Sequence, residues 1–389
     1  MMLIGIIGAP NKGKSTLFSA LTMASAEIAN YPFTTIKPNH GVAYVARECV
    51  EKELKVKCKP KNGICKEGTR YIPIQIVDVA GLVPGAHLGK GMGNQFLSNA
   101  ICADVLIQVV DLSGKTDSSG NLAENCNPAD DVKMVADELA HWVAGIIKKH
   151  IGGVSKRKDG ARALHEILAG LRVSESQVES AISLSSQTSS NIGWSEQDIE
   201  NFSRTLLRIS KPIIVAANKL DVANADALGR LKKELVNYNV IGCSAAIELA
   251  LRKAEKSATI SYLPGSKEFS ALGQLNAEQS KALNYMKAFI SKEGTGVQEL
   301  LHRTIFDVLK IIVVYPVEDE NKYTDHFGNV LPDALLLENG RNVRDLAEKI
   351  HSDLAKNLLY AIDARKKMRI NKEHILKDND VIKIVSAAK

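Results

Sequence analysis

The chain has 389 residues, more than one small core needs, and at about 100–200 residues per domain two or three domains are expected. Hydrophobic residues make up 45% and aromatics 5%, which suits an α/β protein built on Val, Ile, Leu and Ala, and no apolar run approaches the roughly 18 residues of a membrane span, so a membrane partner is excluded. A net charge of +6 permits an acidic partner without demanding one; the basic residues gather in stretches 47–70, 148–172 and 365–372.

The N-terminus enters an apolar β-type run at once, Leu3–Ile7, followed by a glycine-rich turn and a helical pattern over residues 15–23. With no signal peptide in view, the six cysteines read as reduced thiols of a cytoplasmic protein. Cys58 and Cys65 share a Lys/Gly loop; a metal site or a disulfide there is disfavoured, because the spacing is not CxxC and no histidine is near. Further apolar runs at 72–77, 105–110, 213–217 and 240–243 end in Asp78, Asp111, Asn218 and Ser244, as expected of buried parallel strands whose C-terminal edge binds a ligand. Between the third and fourth of the chain's apolar runs, helical patterns at 128–147, 159–171, 174–190 and 195–209 predict a helical insertion of about residues 128–210. Pro128 suits a first turn, and Ser195-x-x-Asp198 is a helix start signal. A last amphipathic helix at 295–309 precedes a change of texture. Residues 311–315 read as a strand, 323–331 as a hairpin, 342–350 as a helix and 380–385 as a closing strand. The expected division is a nucleotide domain over 1–310 and a small α+β domain over 311–389.

The chemistry is concentrated on the loops. Gly8-Ala9-Pro10-Asn11-Lys12-Gly13-Lys14-Ser15 fits G-x-x-x-x-G-K-[ST] at every fixed position, after a strand and before a helix. Its glycines let backbone N–H groups wrap a phosphate, and the helix start through Ser15 and Thr16 favours the anion further. Lys14 is expected to reach the β- and γ-phosphates, and the Ser15 hydroxyl to bind Mg²⁺. Asp78-Val79-Ala80-Gly81 places a second Mg²⁺ ligand at Asp78 and a γ-phosphate N–H at Gly81. Asn218-Lys219-Leu220-Asp221 reads the base. The Asp221 carboxylate can accept from guanine N1–H and N2–H₂ together, whereas adenine would leave it unpaired. Asn218 would tie this loop to the phosphate loop, the Lys219 stem would pack on the base, and Ser244-Ala245 would supply an N–H to guanine O6. Thr34 and Thr35 sit where a hydroxyl can complete the Mg²⁺ shell in the presence of a γ-phosphate; Thr35 is preferred.

In this order the boxes look like those of a translation-factor-class GTPase. Residues 10–18, the Tyr31-Pro32-Phe33-Thr34-Thr35 run and Asp78 through Ala86 resemble the Obg superfamily. Gly89-x-Gly91-x-Gly93-Asn94-Gln95 and Asn127-Pro128-x-Asp130-Asp131 are similar to its YchF-related branch, and the tail, through Asp325-x-Phe327-Gly328, to a β-grasp TGS domain. The resemblance implies a P-loop G domain with a helical insertion, GTP and GDP as ligands, Mg²⁺ as cofactor and a monomer contacting RNA or the ribosome through the TGS domain and basic surfaces such as Arg365-Lys366-Lys367-x-Arg369. Many YchF proteins carry N-x-x-E and prefer ATP; Asp221 supports GTP instead. Leu82 stands where Ras-like enzymes place a water-orienting glutamine, which implies slow intrinsic hydrolysis raised by a partner or by a group elsewhere in the chain; His87 is the nearby candidate, and no catalytic base is assigned. Asn11 resembles the position that helps bind K⁺ in some related GTPases. Three functions compete: a GTPase switch in translation or ribosome assembly, a binding factor with incidental hydrolysis, and a P-loop ATPase or kinase.

Overall fold

The computed structural model describes residues 2–23, 39–79, 81–82, 84–88, 100–154, 159–185 and 194–387. Thr34, Thr35 and the glycine-rich run 89–97 lie outside the described residues. Two compact units are present. The first holds residues 2–23, 39–42 and 75–300, and the second holds 43–74 and 301–387. The division therefore does not fall at residue 310 alone. The basic stretch read as part of the nucleotide domain clusters with the C-terminal residues, because Arg70 donates to Leu331 O and Pro332 O and the Lys59 N–H to Val330 O.

A largely parallel sheet runs in the order β2-β4-β1-β5-β6-β7: β2 His40–Glu48, β4 Thr69–Asp78, β1 Leu3–Ile7, β5 Val105–Asp111, β6 Ile213–Asn218 and β7 Asn239–Gly242. β1 pairs in parallel with β4 and β5, and β5 with β6 and β6 with β7 likewise. Strands β1 and β5 are buried along their whole length, which is why they read as unbroken apolar runs. The parallel order brings the loops after Ile7, Asp78, Asp111 and Asn218 to one edge of the sheet, where ligands bind in such folds. Strand β2, absent from the sequence reading, alternates too weakly to show as an apolar run, with burial that mixes exposed and buried positions.

After β5 the chain enters four helices, α2 Pro128–Val154, α3 Gly160–Leu168, α4 Glu175–Leu184 and α5 Glu196–Ser210; α1, Lys14–Thr22, follows the phosphate loop. Their starts are chemically marked. Ser174 with Gln177, and Ser195 with Asp198, form reciprocal capping boxes, each stabilising a helix by about 1 kcal/mol. Phe202, Val143, Ile147, Leu164 and Val178 meet in one fully buried cluster, with Trp194 tilted on Phe202 at 4.9 Å between ring centroids. Helix α6, Ala227–Glu234, precedes β7; after β7 come α7 Ala245–Lys256, α8 Ala277–Glu293 and α9 Val297–His302, with the short hairpin β8 Ile260–Tyr262 and β9 Phe269–Ala271 between α7 and α8. The helix expected over 295–309 is α9 continued by a π-type turn, Arg303–Val308.

In the second unit a mixed sheet runs β11-β10-β14-β12-β13: β11 Leu335–Glu338, β10 Ile311–Val317, β14 Asp380–Ser386, β12 Leu358–Asp363 and β13 Met368–Ile370. β10 and β14 are parallel and the other pairs antiparallel. Helix α10, Val343–Ile350, starts on an Asn342/Asp345 capping box and buries Val343, Leu346 and Ala347 against Val314, Leu358 and Ile382. This is a β-grasp arrangement. The hairpin expected over 323–331 is instead a loop with isolated bridges, wound around Asp325, whose carboxylate accepts N–H groups from Phe327 and Asn329. The short strand β3, Ile64–Lys66, pairs antiparallel with β4. No helix among the described residues is long and apolar enough to cross a membrane.

Candidate functional site

The phosphate loop is shaped by backbone that few residues other than glycine adopt. Gly8 and Gly13 have φ of 140° and 94°, and a Cβ on Gly13 would stand 2.2 Å from Asn218 Nδ2. Lys14 Nζ donates to Ala9 O at 2.8 Å, so the ammonium lies across the loop. Burial pulls its pKa down, and Asp78 partly restores it. Helix α1 begins at Lys14, so the N–H groups of its first turn, Ser15 and Thr16 among them, lack acceptors within the helix and can face an anion. Gly81 packs against Pro10 so closely that a Cβ would meet its ring at 3.1 Å.

Ser15 Oγ donates to Asp78 Oδ2 at 3.1 Å, and burial raises the Asp78 pKa against that bond and the Lys14 charge. Among the described residues, Asp78 Oδ1 is buried without a hydrogen-bond partner. A hydroxyl and a half-satisfied carboxylate beside a phosphate loop are the donor set of a hard divalent cation. The residues present thus fit Mg²⁺.

The base loop is braced from three sides. Asn218 Nδ2 donates to Lys12 O at 3.0 Å, and its Oδ1 accepts the Ala245 N–H at 3.0 Å. Lys219 is left-handed, φ 64°, and its Nζ reaches Asn11 O at 3.1 Å and Asp111 Oδ2 at 2.8 Å. Burial works against the Asp111 charge, but Lys219, Ser113 and Thr116 together hold its pKa below the usual range. Asp221 Oδ1 accepts from Ser244 Oγ at 2.6 Å, and Tyr285 OH donates to Asp221 O at 3.3 Å. One expectation is corrected. The Ser244 N–H is given to Thr295 O and the Ala245 N–H to Asn218, so neither is free for guanine O6 as the structure stands.

Lys12 also departs from the sequence reading. Its side chain is 1% exposed and turned away from the loop, paired with Asp131 at 2.8 Å and with Thr116 O at 2.9 Å. Only its main chain is left for a nucleotide. Asn11 Nδ2 donates to Gly120 O at 2.9 Å, so the segment after β5 is tied to the phosphate loop twice. The sequence reading also missed Glu248. Fully buried, it accepts from Arg252, Tyr262 and Thr295 Oγ1 and so holds the Thr295 that fixes Ser244.

Leu82 is fully buried in a cluster with Ile7, Val79, Ala86 and Leu139. Its N–H is bonded to Gly8 O at 3.2 Å, so the position faces the core rather than the nucleotide. His87 is not a free loop side chain. Glu138 accepts its N–H at 2.9 Å, its Nδ1 at 2.6 Å and the Gly85 N–H at 2.6 Å. Burial pushes the Glu138 pKa up, but these donors outweigh it and the net shift is downward. A carboxyl lowered on folding stabilises above its unfolded pKa, about 4.3, and that contribution fades as pH falls through the lower folded value. Glu138→Gln is therefore expected to cost on the order of 1–3 kcal/mol near neutrality. In urea melts the gap to the wild type should close between about pH 5 and pH 2; a gap independent of pH would refute the ionic role.

The family model described as 50S ribosome-binding GTPase matches residues 3–151, the one described as Obg-like GTPase YGR210-like, G4 motif-containing domain matches 216–319, and that of the TGS domain matches 327–386. The GTP-binding protein MJ1332 of Methanocaldococcus jannaschii is 49% identical, with both chains covered completely. The ribosome-binding ATPase YchF of Bacillus subtilis is 31% identical over 75% of each chain. The solved structure of a GTP binding protein from Pyrococcus horikoshii OT3 is 37% identical, with a TM-score of 0.79 over 99% of this chain and 100% of that one. Set beside the phosphate cradle and the base loop, these likenesses settle the lineage: the chain belongs to the Obg-like, YchF-type family of P-loop GTP-binding proteins and carries a TGS domain.

Proposed function

We propose that the chain is a slow, Mg²⁺-dependent GTPase that acts as a nucleotide switch on the ribosome or its RNA. The observation that carries the reading is the Ser15–Asp78 pair with its unpartnered buried oxygen, beside a lysine poised over the phosphate loop. Bound there, Mg²⁺ would neutralise charge developing on the phosphates. Lys14 and the N–H groups of the loop and first helical turn would hold the phosphate tail, and Asp221 would select guanine over adenine. Leu82 offers no polar atom to orient water, so fast turnover requires a group from a partner. That burial also favours a second reading, a GTP-regulated binding factor whose hydrolysis is incidental. K⁺ at Asn11 belongs to the same proposal, and equal turnover in sodium and potassium would remove it.

The ribosomal part rests on the TGS domain and on the name of the Bacillus subtilis relative. The basic cluster at 365–369 is a poor candidate for the contact. Arg365 is paired with Glu53, Lys366 with Asp363, Lys367 lies over Tyr323 and Arg369 over Tyr360. A better one is the irregular stretch 55–61. There Lys55, Lys57 and Lys59 are exposed, alternating with the half-buried Val56, Cys58 and Pro60, while Lys61 is paired with Asp325. Such a row of charges suits a phosphate backbone.

The deciding experiment measures affinity and turnover with GTP and ATP, with and without ribosomes. GTP preference, turnover lost with EDTA, and at least about tenfold acceleration by ribosomes are expected. Unaccelerated turnover would favour the incidental reading, and equal affinity for ATP would refute the base assignment.

A further inference from the structure

In the second unit, three thiols and a carboxylate converge where β2 ends. Cys49 follows that strand, buried, with its N–H bonded to Gly68 O at 2.9 Å. Cys65 lies on β3, directly across from Arg70 of β4. Cys58 sits in the irregular stretch between them, its N–H given to Glu51 Oε2 at 2.9 Å. The Cys49 and Cys58 sulfurs are 3.9 Å apart, and one ligand atom from each of Cys49, Glu51, Cys58 and Cys65 lies within 4.8 Å of the others. Two thiolates on a tetrahedral zinc, each about 2.3 Å from it, stand about 3.8 Å apart. The sulfurs thus already have the spacing of a zinc tetrahedron, nearly twice the ~2.05 Å of a disulfide bond.

A second observation concerns charge. Arg70 is completely buried, yet among the described residues its guanidinium donates only to neutral carbonyls, Leu331 O and Pro332 O, both at 3.0 Å. Among the described residues its Nε has no hydrogen-bond partner, and neither does the buried hydroxyl of Tyr315. A buried cation held this way calls for a nearby anion. Three thiolates and a carboxylate around a divalent cation carry a net charge of about −2, next to Cys65's cross-strand neighbour Arg70.

The geometry points to a structural Zn²⁺ site formed by Cys49, Cys58 and Cys65, with Glu51 as fourth ligand. Soft thiolates favour zinc over magnesium or calcium. The hydrogen bond from the Cys58 N–H orients the Glu51 carboxylate, as outer-shell bonds do around metal ligands. The site fastens the lysine-bearing stretch at its centre, while the Lys59 and Lys61 N–H groups fasten it to Val330 O and Pro332 O at 2.8 and 2.9 Å. Zinc would thereby keep Lys55, Lys57 and Lys59 aligned on a segment that has few apolar side chains of its own.

The test is metal content of the full chain, purified without chelator, by inductively coupled plasma mass spectrometry. About one zinc per chain is expected in the wild type and in Cys102→Ser, with nearly complete loss in Cys58→Ser and Cys65→Ser. Because a cysteine variant can fail to fold, wild-type protein stripped of metal is also titrated with Co²⁺. Visible d–d bands and a thiolate charge-transfer band, both abolished by added Zn²⁺, are the expected result. Absence of bound zinc after loading and dialysis would overturn the proposal. So would equal zinc in Cys58→Ser and Cys102→Ser, missing cobalt bands, or a Cys49–Cys58 disulfide in the freshly purified chain.

Discussion

Replacing Asp221 with asparagine is expected to weaken GTP binding by about 10²–10⁴-fold and to create affinity for xanthosine triphosphate. A carboxylate presents acceptors only, matching the N1–H and N2–H₂ donors of guanine. Asparagine turns one of those acceptors into a donor, so two donors face each other at one guanine position. Each lost bond to a charged group is worth about 1.5–3 kcal/mol, and two together give the stated range. Xanthine carries a carbonyl at C2 in place of the amino group and accepts from the new amide. Ser244 Oγ, now donating to Asp221 Oδ1 at 2.6 Å, can still donate to the asparagine oxygen, so the loop itself should survive. Competition titrations with fluorescent GTP, GDP and xanthine nucleotides read the change. Unaltered base choice in the variant would remove Asp221 from the base-reading role.

The second large effect is on stability. Lys12→Met strips the cation from Asp131, which is 3% exposed and keeps only Ser118 Oγ at 2.7 Å. Removing one partner of a buried pair costs about 3–5 kcal/mol, because the other charge stays buried alone. Against a total of about 5–15 kcal/mol that is enough to leave the first unit close to unfolding. Lys12→Met with Asp131→Leu should recover most of the loss, since apolar replacement of both partners is often neutral. Urea midpoints of the single and double variants decide it; a single variant as stable as the wild type would show that the pair contributes nothing. Lys14→Met is the contrasting neighbour. Among the described residues Lys14 bonds only Ala9 O, and burial disfavours its charge more than Asp78 favours it, so its loss should spare the fold and abolish phosphate binding.

What could be read from the sequence was local. Gly8 through Ser15, Asp78 and Asn218 through Asp221 each follow an apolar strand directly, and the structure sets all of them on one sheet edge. The Ser195 cap was legible for the same reason. Long-range partnerships left no such trace. Asp131 was noticed as the opening of the insertion, but nothing near it announces that it will neutralise Lys12. Cys58 and Cys65 were visible as a pair, while Cys49 joins them only because β2 lies beside β4 in the sheet and the Cys49 N–H bonds Gly68 O in the turn between β3 and β4. Strands β12 and β13 escaped notice because their burial alternates irregularly around a register shift at Leu358 and Tyr360. Helix α8 is largely exposed, so it lacks the apolar stripe that marks a helix in sequence.

Asn218 joins the main chain of the phosphate loop to the start of α7 through the two ends of one amide. On the proposed reading, what it braces would hold the base and the phosphates that GDP and GTP share. If the proposed switch holds, grip and timing are separable: the braced loops would hold either nucleotide, and discrimination between them would fall to groups that reach the terminal phosphate. Mutations could then alter how long each state lasts while leaving the choice of base untouched.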